Sequence, residues 1–322
     1  MKVAILGAGA MGALVGSCFH KGGAEVWLVD PFEAHMKKIA EEGLTINLTI
    51  GGKRVEKIKM NAVTNPEEAG VCDVVVILVK GMYTKSAVEG AKALFDENTF
   101  VLTLQNGVGN AEILSEIFGE NRVGYGVLNL ASVLVGPGEI NANYRTDIEG
   151  SYNIHFNSNV RDENTTALCK KIEKILNDGG FKTLYSEDAE MFIWHKLITN
   201  CCVNLTCAMT RLTMGQLFRA PDGAKLHKEI IKELCAVANA KGIPLDFEKE
   251  WKDWHHSQTE TDWPHYPSAA QDVFNQRKTE VDFLNGAISR EGDKFGIETP
   301  VNDTIVMLSH IIENTYDIQY KR

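Results

Sequence analysis

The first half of the 322-residue chain alternates short apolar runs with amphipathic stretches. Four runs have the unbroken hydrophobicity of strands buried on both faces of a sheet, at 2–6, 25–30, 73–79 and 99–104. Helical patterns lie between them, at about 10–21, 32–42 and 83–95. This order predicts a parallel sheet with helices on both faces. Residues 122–157 carry β-branched runs, and we expect them to form the antiparallel end of the same sheet.

After about residue 188 the strand-like runs give way to long helical patterns. These cover about 190–209, 223–241, 268–295 and 302–316. Residues 248–267, which hold three tryptophans and three histidines, are predicted to form a loop or short helix. The pattern therefore predicts two domains, an α/β domain over 1–186 and an all-α domain over 187–322.

Composition narrows the class of protein. Hydrophobic residues make up 44% and charged residues 24%, which is typical of a soluble globular chain. The formal net charge of -10 disfavours nucleic acid as a partner. We find neither an apolar run long enough to span a membrane nor a signal-peptide core. The seven cysteines form no C-x-x-C pair, so we expect reduced, buried thiols in a cytoplasmic protein, and no metal site.

A glycine motif follows the first predicted strand. Gly7, Gly9 and Gly12 form G-x-G-x-x-G, with Ala10 and Met11 inside it. The first glycine permits a tight turn, the second lets the backbone approach a pyrophosphate, and the third lets helix and strand pack closely. Phosphates then lie at the positive end of the helix dipole. Because strand and helix flank the motif, it predicts a dinucleotide site; a glycine-rich turn without ligand is the alternative.

Asp30 ends the second predicted strand, where an acidic side chain normally binds the ribose hydroxyls of the adenosine. A 2′-phosphate would meet a like charge there, so Asp30 favours NAD(H). Lys37, Lys38 or Lys80 could offset part of that repulsion. Alternatively, Asp30 caps the helix that starts near Phe32, and both roles can hold together.

Lys80 and Asn106 each come just after a predicted parallel strand, where ligands bind in α/β sheets. We expect both to contact a ligand. The alternatives are that Lys80 is only a solvated charge and that Asn106 belongs only to a turn.

Lys196, Asn200 and Asn204 recur every four residues along an otherwise apolar predicted helix, so they share one face. Burying each of them without a partner would cost about 1–3 kcal/mol, which makes a polar ligand the natural partner. The alternative is a solvated stripe, although asparagine is a poor choice for an exposed helix face.

Ser268 and Glu280 lie in a polar block near the end of the chain. Ser268 with Gln271 fits a capping box, and Glu280 fits a surface carboxylate paired with Arg277 or Lys278. The two positions are about 120° out of phase on a straight helix, so spacing alone does not place them in one site.

Taken together, these blocks resemble the ketopantoate reductase family, which includes NAD-dependent D-2-hydroxyacid dehydrogenases. The resemblance runs from Met1 to about Tyr316. It rests on G-A-G-A-M-G at 7–12, L-Q-N-G-V-G at 104–109, W-x-K-L-x-x-N-x-x-x-N at 194–204 and P-S-x-x-Q-D-x-x-x-x-R-x-T-E-x-D-x-L-N-G at 267–286. It implies an α/β N-terminal Rossmann domain with a mostly parallel sheet, an all-α C-terminal domain, and NAD(P)H as cofactor.

The same resemblance implies roles for single residues. Lys196 matches the general acid, and Glu280 matches the carboxylate that binds the substrate hydroxyl and orients the site. Lys80 matches a lysine near the adenosine end of the cofactor. The residues that match positions holding substrate, cofactor or both are Asn106, Asn200, Asn204 and Ser268. The implied reaction is hydride transfer to the ketone of a 2-oxoacid, giving an (R)-2-hydroxyacid, with Lys196 protonating the developing alkoxide.

Three positions depart from the family. Asp30 stands where NADPH-using members commonly have arginine, and Met214 and His265 stand where some members have asparagine. The leading interpretation is reduction of 2-dehydropantoate to pantoate. The alternative is an NAD-dependent D-2-hydroxyacid dehydrogenase for branched or aromatic 2-oxoacids, which would suit Met214, Trp263 and Tyr266. A non-catalytic dinucleotide sensor is a remote alternative. A homodimer is left open, because no heptad pattern indicates one.

Overall fold

The computed structural model describes residues 1–48, 54–144, 146, 151–260 and 263–319. The chain divides into two compact units. Unit 1 comprises Met1–Gln105 and Asn110–Glu190, and unit 2 comprises Asn106–Gly109 and Met191–Arg322. That 1–186 and 187–322 are separate folding domains stays a prediction.

Unit 1 holds the strands and the first six helices. The strands are β1 (Lys2–Leu6), β2 (Glu25–Val29), β3 (Leu44–Leu48), β4 (Arg54–Ile58), β5 (Asn61–Val63), β6 (Val74–Ile77), β7 (Phe100–Thr103), β8 (Val123–Leu128), β9 (Ala131–Gly136), β10 (Glu139–Asn143), β11 (Ile154–Ser158) and β12 (Thr183–Tyr185). The helices are α1 (Ala10–Lys21), α2 (Glu33–Glu42), α3 (Pro66–Ala69), α4 (Thr84–Gly90), α5 (Asn110–Phe118) and α6 (Glu163–Asp178).

The main sheet has eight strands in the order β12-β11-β8-β7-β6-β1-β2-β5. Every pairing from β5 to β8 is parallel, and only β8 and β11 run antiparallel. Strands β6 and β7 are buried along their whole length, which explains their unbroken apolar sequences. The predicted mostly parallel sheet is therefore confirmed.

One part of the sheet prediction is wrong. Strands β9 and β10 do not extend the main sheet but form a second, four-stranded sheet in the order β4-β3-β10-β9. Strand β10 pairs in parallel with β3, almost a hundred positions earlier in the chain. Their buried residues Ile46 and Ile140 belong to the same hydrophobic core as α1. The buried face of the second sheet therefore packs into the core to which α1 also contributes.

The ligand-binding edge of the main sheet follows from its register. Leu6 at the end of β1 pairs with Val29 of β2 on one side and with Ile77 of β6 on the other. The residues that come next, Gly7 and Asp30 among them, therefore emerge at one edge. Successive strands are added on one side of β1 up to β5 and on its other side from β6 onwards. Such a topological switch point is where α/β sheets bind ligands.

Unit 2 is helical in the part that the structure describes. Its helices are α7 (Ala189–Thr210), α8 (Met214–Arg219), α9 (Gly223–Ala240), α10 (Phe247–Glu260), α11 (Ser268–Phe274), α12 (Asn285–Phe295) and α13 (Pro300–Glu313). Helix α7 is the buried centre of the unit, and Trp194 and Cys201 on it are 0% exposed. They share a hydrophobic core with Leu234 of α9 and Ile288 of α12.

One helix prediction in unit 2 is wrong. The expected helix over 268–295 is interrupted after Phe274 and resumes only at Asn285. Gln276, with a φ of +54°, ends the first segment in a left-handed conformation that no helix continues through. Most of the stretch 248–267, predicted to be a loop or a short helix, is helix α10. The capping box expected at Ser268 is absent, because Pro267 is the N-cap residue of α11.

All seven cysteines are buried and free, which confirms the predicted buried thiols. Every helix within the described ranges is too short or too polar to cross a lipid bilayer. Over the same ranges, no three His, Cys, Asp or Glu side chains come together as a metal site.

Candidate active site

A cavity of about 740 Å³ opens at the carboxyl edge of β1, β2 and β6. Its walls combine the glycine-motif turn, the end of β2 and the residues after β6. The predicted cofactor residues that line it are Gly7, Gly9, Ala10, Met11, Gly12, Asp30 and Lys80. The structure thus brings together in unit 1 seven of the eight residues that the sequence assigned to the cofactor.

The three glycines of the motif differ in what a side chain at each position would contact. Gly7 has a φ of +95°, and a Cβ there would lie 2.4 Å from the backbone nitrogen of Val79. A Cβ on Gly12 would lie 2.1 Å from the carbonyl oxygen of Gly7, so α1 packs directly on the turn. A Cβ on Gly9 would meet nothing within 4 Å. Two glycines are therefore required by the protein itself, and Gly9 leaves space in front of the backbone.

The start of α1 is suited to an anion. Gly9 is its N-cap residue, no side chain caps it, and its first turn holds no acidic residue. The first N–H groups of a helix have no partner within the helix, and they carry the positive end of its dipole. A pyrophosphate in front of Gly9 would satisfy both.

The carboxylate of Asp30 makes one hydrogen bond to the nearby backbone and also lines the cavity. Its Oδ1 accepts a hydrogen bond from the backbone N–H of Phe32 at 2.9 Å, and α2 begins one residue later. The capping role is therefore present, in the form of a turn before the helix. Asp30 also lines the cavity beside Lys80, whereas Lys37 and Lys38 are not among the lining residues. Of the three lysines considered, only Lys80 shares the cavity with Asp30.

The second constellation lies in unit 2, on one face of α7. Lys196, Asn200 and Asn204 belong to this single helix, which confirms that they share a face. The Nζ of Lys196 donates a hydrogen bond to Oδ1 of Asn106 at 2.7 Å. Asn106 was expected near both substrate and cofactor, and the structure pairs it with the candidate general acid.

The surroundings of Lys196 change its acidity. Burial lowers the pKa of Lys196 from its ordinary value of 10.5 to about 8, and the charge of Glu280 opposes that shift. A lysine with a pKa near 8 is charged at neutral pH and can still release its proton. Lys196 and Glu280 therefore interact electrostatically, as expected, and the ammonium is suited to act as an acid.

The remaining predicted residues differ in their environments. Asn204 is 5% exposed and Asn200 is half-buried. Within the described ranges, neither side-chain amide has a hydrogen-bond partner. Both amides are therefore available to a bound molecule beside Lys196. Ser268 is exposed at the first residue of α11, and its role in binding stays a prediction.

Glu280 lies in the non-helical turn between α11 and α12, and helix α13 holds that turn in place. The carboxylate of Glu313 accepts hydrogen bonds from the backbone N–H of Thr279 at 2.9 Å and from its hydroxyl at 2.5 Å. On the other side of Glu280, Asp282 pairs with His310 at 3.0 Å. Residues of α13 thus contact the chain on both sides of Glu280.

Arg290 joins this turn to the loop that carries Asn106. Its guanidinium donates from Nη1 to the carbonyl of Asp282 at 2.6 Å and from Nη2 to the carbonyl of Val108 at 3.3 Å. The N–H of Val108 in turn donates to the carbonyl of Phe283 at 2.9 Å. Neither Arg290 nor Glu313 belonged to the predicted site. Both lie on partly exposed helices, where the sequence does not distinguish a charged residue of the site from an ordinary surface charge.

The sequences of both units match models of one protein family. Residues 3–154 match the model described as "Ketopantoate reductase PanE/ApbA", and residues 188–313 match "Ketopantoate reductase PanE/ApbA C terminal". A 2-dehydropantoate 2-reductase of Streptococcus pyogenes serotype M6 is 32% identical over 320 residues, 99% of this chain and 100% of that protein. The chain belongs to the ketopantoate reductase PanE/ApbA family. It is therefore an oxidoreductase that depends on a nicotinamide dinucleotide, and the resemblance inferred from the motifs is confirmed.

Solved structures agree with the family in fold. A ternary structure of D-mandelate dehydrogenase with NADH and anilino(oxo)acetate has a TM-score of 0.86 at 29% identity, covering 99% of this chain and 100% of that one. A PanE/ApbA family ketopantoate reductase from Ralstonia eutropha JMP134 has a TM-score of 0.82 at 29% identity, covering 98% and 100%. The predicted Rossmann fold with a helical C-terminal region is confirmed.

Proposed function

We propose that this family member reduces the ketone of a 2-oxoacid to an (R)-2-hydroxyacid with NADH, and that 2-dehydropantoate is its preferred substrate. The observation that carries the proposal is the Lys196 ammonium, held by Asn106 at 2.7 Å in a desolvated site with a carboxylate, Glu280, near it. A proton donor fixed among amides is what reduction of a carbonyl group requires. The 2-dehydropantoate 2-reductases at 32% identity support the choice of substrate.

Lys196 has two tasks in this reaction. As an ammonium it stabilises the negative charge that develops on the carbonyl oxygen, and it then gives that oxygen its proton. The bond to Asn106 Oδ1 directs the Nζ, because it fixes one of the three N–H positions. Glu280 keeps Lys196 protonated and accepts a hydrogen bond from the hydroxyl group of the substrate. The amides of Asn200 and Asn204 hold the carboxylate of the substrate, and Ser268 contributes its hydroxyl.

The cavity of unit 1 fits the cofactor. When bound, a reduced nicotinamide supplies the hydride. The turn at Gly7, Gly9 and Gly12 with the first turn of α1 holds the pyrophosphate, and Ala10 and Met11 provide backbone N–H groups.

Asp30 supports NADH over NADPH. The carboxylate lines the cavity, with Oδ1 occupied by the N–H of Phe32 and Oδ2 available to a ribose hydroxyl. A 2′-phosphate at that position would be repelled, and Lys80 is the one lysine among the described residues lining the cavity that offsets the repulsion. The solved D-mandelate dehydrogenase, which contains NADH, supports the same choice.

A second candidate function has its own observation. Met214 and Trp263 belong to the apolar wall of a cavity in unit 2, and a branched or aromatic side chain would be favoured against that wall. The chain would then be an NAD-dependent D-2-hydroxyacid dehydrogenase, and the similarity to D-mandelate dehydrogenase supports this.

One experiment tests both functions. Initial rates of NADH and NADPH oxidation are measured with 2-dehydropantoate and with branched and aromatic 2-oxoacids at equal concentration. The highest kcat/KM is expected for NADH with 2-dehydropantoate. A lead for an aromatic 2-oxoacid would select the second function, and turnover of none would refute both. Sedimentation velocity on the same preparation tests the homodimer.

A further inference from the structure

The cavity of unit 2 that contains Met214 and Trp263 has a volume of about 300 Å³, and its polar residues have no role in the functions proposed above. Its apolar wall consists of Ile198, Met214, Trp254 and Trp263. An engineered apolar cavity of roughly 150 Å³ holds benzene, so this one has room for an aromatic ring and a substituent.

The polar wall of the cavity offers hydrogen-bond acceptors. Gln258 lines it and is only 2% exposed, and its Oε1 has no hydrogen-bond partner in the described part of the chain. Glu250 lines it as well, is 5% exposed, and accepts from Nδ1 of His195 at 2.9 Å. A buried acceptor without a partner carries a desolvation cost that a donor group on a ligand would remove.

Helix α7 connects this cavity to the Lys196 face. Thr199 lines the cavity and follows Lys196 by three residues, so the two side chains are neighbours on the helix surface. Thr199 also directly precedes Asn200. The cavity and the face with Lys196 therefore share an edge along α7.

We propose that this cavity receives the side chain of the 2-oxoacid and selects side chains with an apolar body and a terminal hydroxyl, with Gln258 as the residue that determines this specificity. The inference rests on the proposed function and defines its substrate class. A branched or aromatic body fills the apolar wall, and the terminal O–H donates to Gln258 Oε1. Glu250 and Asp253 in the polar wall exclude side chains that end in a carboxylate, because like charges repel. The requirement is met by 2-dehydropantoate under the first candidate function and, under the second, by those aromatic 2-oxoacids that carry a ring hydroxyl.

The test uses two pairs of substrates that differ by one hydroxyl. One pair is 4-hydroxyphenylpyruvate and phenylpyruvate, and the other is 2-dehydropantoate and 3,3-dimethyl-2-oxobutanoate. In each pair the hydroxylated member is expected to have a kcat/KM at least about tenfold higher, because only it satisfies the buried acceptor. Pyruvate serves as the reference, since its methyl group does not reach the polar wall.

Variants of Gln258 test whether this residue causes the preference for hydroxylated substrates. Gln258→Leu removes the acceptor at similar size, and it is expected to abolish the tenfold preference while leaving the kcat/KM for pyruvate unchanged. Gln258→Glu keeps acceptor oxygens and is expected to keep the preference. Equal values within both pairs for the wild-type protein would overturn the inference. So would a Gln258→Leu variant that loses activity equally on all substrates, pyruvate included.

A binding measurement separates this inference from the proposed function. Trp254 and Trp263 line the cavity, so 4-hydroxyphenyllactate and phenyllactate can be titrated by tryptophan fluorescence without turnover. Tighter binding of the hydroxylated ligand, lost in Gln258→Leu, would support the specificity of the cavity. Absence of turnover with every 2-oxoacid would refute the proposed function, whereas equal affinities for the two ligands would refute the inference.

Discussion

Replacing Glu280 with glutamine is expected to move the pH dependence of reduction to lower pH. The substitution removes the charge of the carboxylate at nearly constant shape. In the wild-type protein, burial lowers the pKa of Lys196 from 10.5 to about 8, against the opposing effect of Glu280. That displacement corresponds to about 3.4 kcal/mol between the charged and neutral lysine. Without Glu280, the opposing effect is lost.

The size of the shift follows from the usual effect of one neighbouring charge on a titrating group. An opposite charge near a titrating group is worth about 1–3 pKa units, so the pKa of Lys196 in Glu280→Gln is expected between about 5 and 7. At pH 7, about nine-tenths of the lysines are then charged in the wild-type protein and about one-tenth in a variant with a pKa of about 6. Reduction requires the charged form, so its rate falls as pH rises through the pKa.

The assay is kcat/KM for 2-oxoacid reduction, which reports the pKa of the free enzyme, from about pH 5 to about pH 10. The alkaline limb is expected near pH 8 for wild type and at least about one unit lower for Glu280→Gln. In the reverse direction, oxidation requires neutral lysine, so its rate should rise over the same range. The affinity for NADH is the control and should not change. An alkaline limb that stays at pH 8 or moves upward in the variant would refute this electrostatic reasoning.

Three further predictions concern the cofactor cavity and the turn that carries the site. Asp30→Arg replaces repulsion of a 2′-phosphate by attraction, so the ratio of kcat/KM for NADPH to that for NADH should rise at least about tenfold, and an unchanged ratio would exclude Asp30 as the discriminator. Gly12→Ala should lower the melting temperature, because its Cβ would lie 2.1 Å from a carbonyl oxygen. Gly9→Ala should keep the melting temperature and weaken NADH binding, because its Cβ meets no protein atom within 4 Å. Equal melting temperatures and equal NADH affinities in the two variants would contradict this. Arg290→Lys replaces two donor nitrogens by a single Nζ, which cannot occupy the positions of both Nη1 and Nη2, so kcat should fall about 10- to 100-fold at unchanged NADH affinity. A wild-type kcat would remove Arg290 from the site.

The parts of the fold that the sequence predicts correctly depend on local patterns. Strands β6 and β7 are apolar at every position because both faces of the sheet are covered. The shared face of Lys196, Asn200 and Asn204 follows from helical periodicity alone. The glycine motif carries its own context, a strand before it and a helix after it.

The parts that the sequence does not predict depend on distant partners. The break between α11 and α12 is stabilised by Glu313, which bonds Thr279 from 34 positions away. The bond from Arg290 to Val108 spans 182 positions. The pairing of β10 with β3 joins Glu139 to Thr45, 94 positions earlier in the chain. Neither propensity nor periodicity contains such contacts, because they arise only once the elements have packed.

The most direct test of the central claim is the rate of NADH oxidation with 2-oxoacids by wild-type protein and by Lys196→Ala, measured alongside NADH binding. Loss of the general acid is expected to lower kcat by about 10²- to 10⁴-fold. NADH affinity should stay unchanged, because the cofactor cavity is lined by residues of unit 1. A Lys196→Ala protein that reduces 2-oxoacids at the wild-type rate, or a wild-type protein that binds NADH and reduces none, would contradict the account.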